Sequence, residues 1–377
     1  MKFGMMTSAC IAALALASST LALAATGGNG STVSQAGNSQ TATVNQSGSN
    51  DSSSVNQSGT GNKSTINQTG IIGGKSEVVQ SGISNTVKFE QSDVGLNSAN
   101  LTKPIDKSII TQSGNGNNAV FNQDSINAIA ASNSNLLQSG NTNTIGQNQA
   151  GSGQDSTISQ ISDTNSATVT QLNVGNFSNV YQEGTGGHFV SLEQYGTNAK
   201  SYVTQLGNAN EAHLLQQYGD GTRSDVTQTG AHNYVSSSQL GSYDESTVRQ
   251  TGNSNYTENK QFGDHRVSLI VQSGNNNFAF NNGEGHSPFT KSTIFQSGNA
   301  NVTILGQYAS GTVSLVDQSG NQNRAEVVQG GENDMSTIIQ PGSSNMAFVN
   351  QGDGGANNVS MVTQSGTNGM VTVNQNF

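Results

Sequence analysis

From Ser31 onward the chain alternates polar and apolar positions around a recurring glutamine, found at Gln35, Gln46, Gln57, Gln68, Gln80 and Gln91 and on to Gln375, most often eleven residues apart. Two residues before it stands an aliphatic residue or Phe, as in Val44, Val55, Ile66, Val78, Ile110, Phe121, Ile158, Val169 and Val180, and two residues after it usually stands Gly. Side chains alternate across a strand, so positions −4, −2 and 0 relative to the glutamine share one face, while −3 and −1, commonly Thr, Asn or Ser, share the other. Each unit therefore predicts a short strand closed by a glycine turn.

Position −4 reveals a longer period. Alternate units carry Ser there, from Ser31, Ser53, Ser76 and Ser108 to Ser360, and the units between them carry Ala42, Val87, Ala119, Ile145, Ala167 and their equivalents, with Ser64 as the exception. Gln216 and Asn282 join the series as members of the same row, which puts Phe278 at its −4 position. The repeat is thus two strands in about 22 residues, and the fold class expected is all-β: a single elongated, amyloid-like β-solenoid of about 15 coils built from about 30 units of 11 residues. One such unit cannot bury its own inner face, but stacking on the next buries a continuous ribbon, and stacked amides and hydroxyls can bond along the axis.

The expected ladder is represented by Ser156, Ile158 and Gln160, by Ala167, Val169 and Gln171, by Ser246, Val248 and Gln250, and by Ser314, Val316 and Gln318. The candidate assembly edge is the last strand, with Val371, Val373 and Gln375 facing inward and no charge to discourage pairing. Units longer than eleven mostly follow the strands without the serine, so extra loops should leave one edge of the rod; the longest holds Lys103-Pro104-Ile105-Asp106-Lys107.

Composition agrees with repetition rather than with a conventional core, since 31% of the 377 residues are hydrophobic and 10% charged, with 46 Gly, 3 Pro and no Trp. Lys2, the apolar run Met5 to Leu23 and the small-residue site Ala22-Leu23-Ala24 read as a secretory leader over residues 1–24, followed by a short Gly-rich segment at 25–30 and the repeats at 31–377. Cys10 lies inside that leader, so the exported chain is expected to hold no disulfide. No later stretch is apolar enough to span a bilayer, and a net charge of −10 argues against a nucleic-acid groove.

His188, His213, His232, His265 and His286 share no ligand spacing and read as solvated loop or strand-face residues; no metal or cofactor is expected. Gly352-Asp353-Gly354-Gly355 reads as a plain turn rather than a calcium-binding repeat. No GxSxG elbow and no unique Ser, His and Asp cluster stands out, so no catalytic residue is expected either.

The stretch QSGNGNNAVFNQ, from Gln112 to Gln123, resembles the curlin repeat Q-x-G-x-G-N-x-A-x3-Q at every fixed position, and QAGSGQDSTISQ, from Gln149 to Gln160, is a close relative. The resemblance to the curlin-repeat (curli subunit) family runs from Ser31 to Phe377. It implies a structural subunit of an extracellular amyloid fibre of the biofilm matrix and of cell adhesion, polymerising with itself, with a curli-type nucleator and an outer-membrane export channel as partners. The competing expectation is a monomeric solenoid that binds a surface, either an adhesin or an ice-binding protein. An ice-binder calls for a regular outward Thr-x-Thr row, whereas the outward positions mix Asn, Thr, Ser and Tyr.

Overall fold

The structure is a computed structural model that describes residues 23–24, 28–92, 106–124, 130–284, 288–352 and 355–375. Among these residues all regular structure is strand, in two parallel sheets of 15 and 16 strands. The chain alternates between the sheets, so consecutive strands lie in different sheets and each pairs with the strand one coil away. The 15-strand sheet, from Gly30–Asn38 to Val359–Thr363, contains the −4 serines and is called here the serine sheet. The companion sheet runs from Thr41–Ser49 to Met370–Gln375, preceded by the two-residue strand Leu23–Ala24, which pairs with Asn45 and Gln46. This is the β-solenoid expected, with two strands per coil.

Register keeps like on like. Ser156 lies beside Ser178, Ile158 beside Val180 and Gln160 beside Gln182, and the same holds one coil on, with Ser201, Val203 and Gln205. The alternating pattern follows from the pleat: in Asp155–Ile161, residues 156, 158 and 160 are buried and their neighbours are not. The aliphatic row forms one continuous core from Ala42 to Val362, with Val371 and Val373 packed against its end. Burying each Val or Ile contributes about 1.5–3 kcal/mol, which offsets the ordering of its short unit.

The turns are built as precisely as the strands. In the serine sheet the Gly two residues after the glutamine, as at Gly207, Gly230 and Gly252, takes a left-handed φ and abuts the corresponding Gly of the next coil. At Gly252 φ is 110°, and a Cβ would lie 2.0 Å from the Gly274 carbonyl oxygen. Only Gly allows that spacing.

The loop holding Lys103-Pro104-Ile105, most of residues 1–27, Asp353-Gly354, His286 and the last two residues lie outside the described residues. One part of the expected register is corrected. Gln261 pairs with Gly283, and Asn282 lies beside Lys260, so Gly283 occupies the glutamine row and Asn282 does not. A slip of one residue exchanges the faces of a strand. Here it puts Ala279 and Asn281 inside and leaves Phe278 and Phe280 on the outer surface, where Phe278 stacks 5.1 Å from Tyr256. The narrow interior that takes Ala at −4 in so many companion strands has no room for both phenylalanines.

Candidate functional site: the polar ladders and the ends of the rod

The glutamine rows form two directional hydrogen-bond ladders. In the serine sheet Gln160 Nε2 donates to Gln182 Oε1 at 2.9 Å, and in the companion sheet Gln171 Nε2 donates to Gln194 Oε1 at 2.9 Å. The same nitrogens reach across the interior to backbone carbonyls of the opposite sheet, Gln160 to Thr144 O at 3.1 Å and Gln171 to Asp155 O at 3.2 Å. Each buried amide thus joins its own sheet axially and ties the two sheets together. Gln250 donates to Gln272 at 2.9 Å and to Tyr234 O at 2.9 Å, and Gln318 to Gln340 at 2.9 Å and to Val302 O at 3.1 Å. A buried amide with all its partners is stable in an apolar interior, whereas one left without them costs about 1–3 kcal/mol per orphaned group.

The serines complete the network. Ser178 Oγ donates to Ser156 Oγ at 2.8 Å, Asn259 Nδ2 donates to Ser246 Oγ at 2.8 Å, and Ser314 Oγ donates to Gln329 Oε1 at 2.8 Å. Ile158, Ala167, Val169, Val248 and Val316 are fully enclosed beside them. All twelve ladder residues are therefore inside the rod. Val371, Val373 and Gln375 are half-buried in the final companion strand, with one face of that strand unpaired at the end of its sheet.

A third ladder was missed from the sequence. Five residues after most serine-sheet glutamines a buried Asn turns the corner, among them Asn62, Asn85, Asn117, Asn233, Asn255 and Asn277. Asn255 Nδ2 donates forward to Gly274 O at 2.9 Å, and its Oδ1 accepts the Asn277 backbone N–H at 3.0 Å. The signal was the Asn of Q-x-G-x-G-N, which recurs at fixed spacing but falls in what looks like an ordinary polar turn. His188 takes one place in this column and is fully enclosed, which corrects its reading as a solvated residue. Its Nδ1 accepts the Asn210 N–H at 3.2 Å, so Nε2 carries the proton and donates to Glu183 O at 3.1 Å. Burial pushes its pKa down and keeps the imidazole neutral. His213 lies on the outer face 2.6 Å from Glu211, and His232 and His265 sit at left-handed turn positions. Among the described residues no three His, Cys, Asp or Glu side chains converge as a metal site.

The companion ladder is interrupted once. Gln239 donates to Gln261, but the next position is Gly283, and the space its side chain would fill is taken by Arg266, whose Nη1 stands 2.1 Å from where a Cβ would be. Arg266 is the largest fully buried side chain, and its backbone N–H donates to Asp244 Oδ1 at 2.9 Å from the adjacent coil. Burial raises the Asp244 pKa to about 7 against the pull of Arg266, while burial lowers that of Arg266 against the attraction of Asp244 and Asp264.

The two ladders also have polarity at the ends of the rod. Every rung runs from the amide nitrogen of one coil to the oxygen of the next, from Gln35 to Gln57 at the start and from Gln340 to Gln364 at the finish. Among the described residues, Gln46 Oε1, in the first companion coil, is a buried acceptor with no donor, and Gln364 Nε2, in the last serine-sheet coil, is a buried donor with no acceptor. One end of the rod is short of donors and the other short of acceptors.

A fold of stacked two-strand coils tied by Gln, Asn and Ser ladders defines a class: the repetitive parallel β-solenoid with an axially bonded polar core. Residues 202–230, which span from the Lys200–Asn208 strand into Arg223–Ala231, match the family model of the curlin associated repeat. The matched coil is geometrically continuous with those on either side, so a curlin-type repeat sits within a β-solenoid of like coils, an architecture that suggests a curli-like structural protein. No curated protein matches the chain. No helix among the described residues is long and apolar enough to cross a membrane.

Proposed function

We propose that this chain is a non-enzymatic, exported subunit that polymerises end to end into an extracellular curli-like amyloid fibre of the biofilm matrix. The observation that carries the reading is the matched polarity of the two ends. Stacking the last coil of one copy on the first coil of another sets Gln364 against Gln35 and Gln375 against Gln46, and each ladder continues without a break. The open edges Val359–Thr363 and Met370–Gln375 gain backbone partners in the same step. Removal of the leader, with Leu23–Ala24 in it, opens the Thr41–Ser49 edge at the receiving end. A nucleator would act by supplying the first such edge, and an export channel would have to pass the chain unfolded, because a stacked rod cannot thread a narrow pore.

The test is X-ray diffraction and negative-stain microscopy of the leader-free chain after incubation. The reading requires long filaments with an axial reflection at about 4.8 Å, the coil spacing. A product that stays as single rods of about 70 Å, the length of fifteen coils, would instead identify a monomeric solenoid.

A further inference from the structure

The interior of the rod is the same throughout, but its outer surface is not. On the first five serine-sheet strands the outward positions are mostly polar, beginning with Thr32, Ser34, Ser52, Ser54 and Asn56, and three of fifteen are apolar. On the last five, Val267–Asn275, Lys291–Asn299, Val313–Gln318, Met335–Gln340 and Val359–Thr363, ten of fifteen are apolar. Several are well exposed: Val267 38%, Phe295 37%, Met335 46%, Val359 64% and Met361 71%. A contiguous apolar face on an otherwise polar surface marks a contact.

We propose that this face is the lateral contact between two copies of the chain lying side by side and parallel, related by a two-fold axis along the rod. Three observations select a second copy in this orientation. The central outward column carries Leu269, Leu315 and Met361, and a two-fold along the rod sets each of these apolar side chains against its own counterpart. The face holds two charges on opposite outer columns one coil apart, Lys291 and Asp317. A two-fold along the rod lays each outer column over the opposite column of the other copy, which brings Lys291 within one coil of Asp317 of the other copy, twice. A two-fold across the rod keeps each column over itself and, centred on the Val313–Gln318 strand, sets Asp317 against Asp317. Finally, the face measures about 24 Å by 20 Å, from five coils and six residues of strand, so a pair buries about 1,000 Å² in total. That is the lower limit for a specific contact. Parallel copies repeat it along a growing filament, where each added pair gains from those already joined.

The experiment uses the leader-free chain with Leu315→Cys as its single thiol, assembled and treated with a short bis-maleimide. Facing sheets stand about 10 Å apart, too far for a direct disulfide but within reach of the linker. The two-fold puts residue 315 opposite itself, so covalent dimers should form in high yield; end-to-end neighbours hold this residue about 70 Å away and cannot contribute. Ser54→Cys, on the polar end of the same sheet, should stay monomeric under the same treatment. Absence of cross-linking at 315 in filaments that otherwise form, or equal cross-linking at 54, would overturn the contact. As a second readout, Leu315→Lys with Met361→Lys should halve filament mass per length from two chains to one per rod length. Unchanged mass per length would also overturn it. Loss of filaments altogether would count against end-to-end growth, and the cross-linking of soluble 315 variant rods would then decide the lateral contact by itself.

Discussion

The coils around Gln160 and Gln182 and the coils between Asp244 and Gly283 share one fold and are held together differently. In the first, the glutamine rungs run unbroken from Gln160 to Gln182 to Gln205, Ser178 bonds Ser156, and the rungs are neutral amides. In the second, the glutamine row of the companion sheet breaks after Gln261, and the buried Arg266 guanidinium fills the gap. The difference shows that the solenoid does not depend on any single rung. Backbone pairing continues through the interruption, because a coil's stability is shared with both neighbours.

The largest effect should come from putting charge where the regular ladder has none. Gln250→Lys with Val248→Asp buries two ionisable groups, and each costs several kcal/mol where the geometry offers no well-formed pair. Neither the folded rod nor assembly should survive, read by circular dichroism and thioflavin fluorescence. Next in size is a direct contrast between the regions. Gln171→Ala breaks a rung on both sides, from Gln149 at 2.9 Å and to Gln194 at 2.9 Å, and should cost about 2–4 kcal/mol in urea unfolding. Gln261→Ala loses only the rung from Gln239 and the bond to Glu245 O, so it should cost about half as much. Equal losses would mean the interruption is not energetically real.

The charged region should also answer to pH. Asp244 is held at about 7 in the fold against an ordinary value of 3.8, so the folded rod binds the proton more tightly than the unfolded chain does. That contribution is fully present below about pH 4 and is lost as pH rises through about 7. Asp51, whose pKa burial also raises, acts in the same direction, while His188, whose pKa burial lowers, costs stability as pH falls below 6.5. Asp244→Asn with Arg266→Thr places side chains used at equivalent corners, Asn176 and Thr290, and removes the buried pair. It should stabilise the rod by about 1–3 kcal/mol at pH 7.5 and by less at pH 5, measured by thermal unfolding at both. A loss at pH 7.5 would show that the pair is a net stabiliser. The smallest effect belongs to the outer face of a regular coil: Thr247→Ala and Arg249→Ala should each stay within about 0.5 kcal/mol of the parent.

Most of this architecture was legible because a stacked core has to repeat its inward side chains. Ser246, Val248 and Gln250 could be assigned inward from spacing alone, and so could their companions at Ala167, Val169 and Gln171. The Asn corner column was equally periodic, yet Asn in a turn has an ordinary explanation in its own backbone, which hid its axial role. Asn282 was misplaced because the strand Phe278–Gly283 has no glutamine, and the nearest amide took its place in the alignment; the pairing of Asn277 with Asn255 fixes the true register. Arg266 and Asp244 could not be read as buried, since charges in a turn are ordinarily solvated. The uneven outer surface was present in the sequence, but it acquires meaning only once the outward positions are aligned strand by strand.

The central claim is that the rod grows by stacking its last coil on the first coil of another copy. Val371→Lys with Val373→Lys places two charges in the final companion strand while touching one coil of fifteen, so the folded rod should keep its circular dichroism. Seeded elongation followed by thioflavin fluorescence is the direct measurement. Preformed parent seeds should extend rapidly with parent chain, and seeds and monomer of the double variant should extend at least tenfold more slowly. Elongation at the parent rate by a folded double variant would show that growth does not use this end.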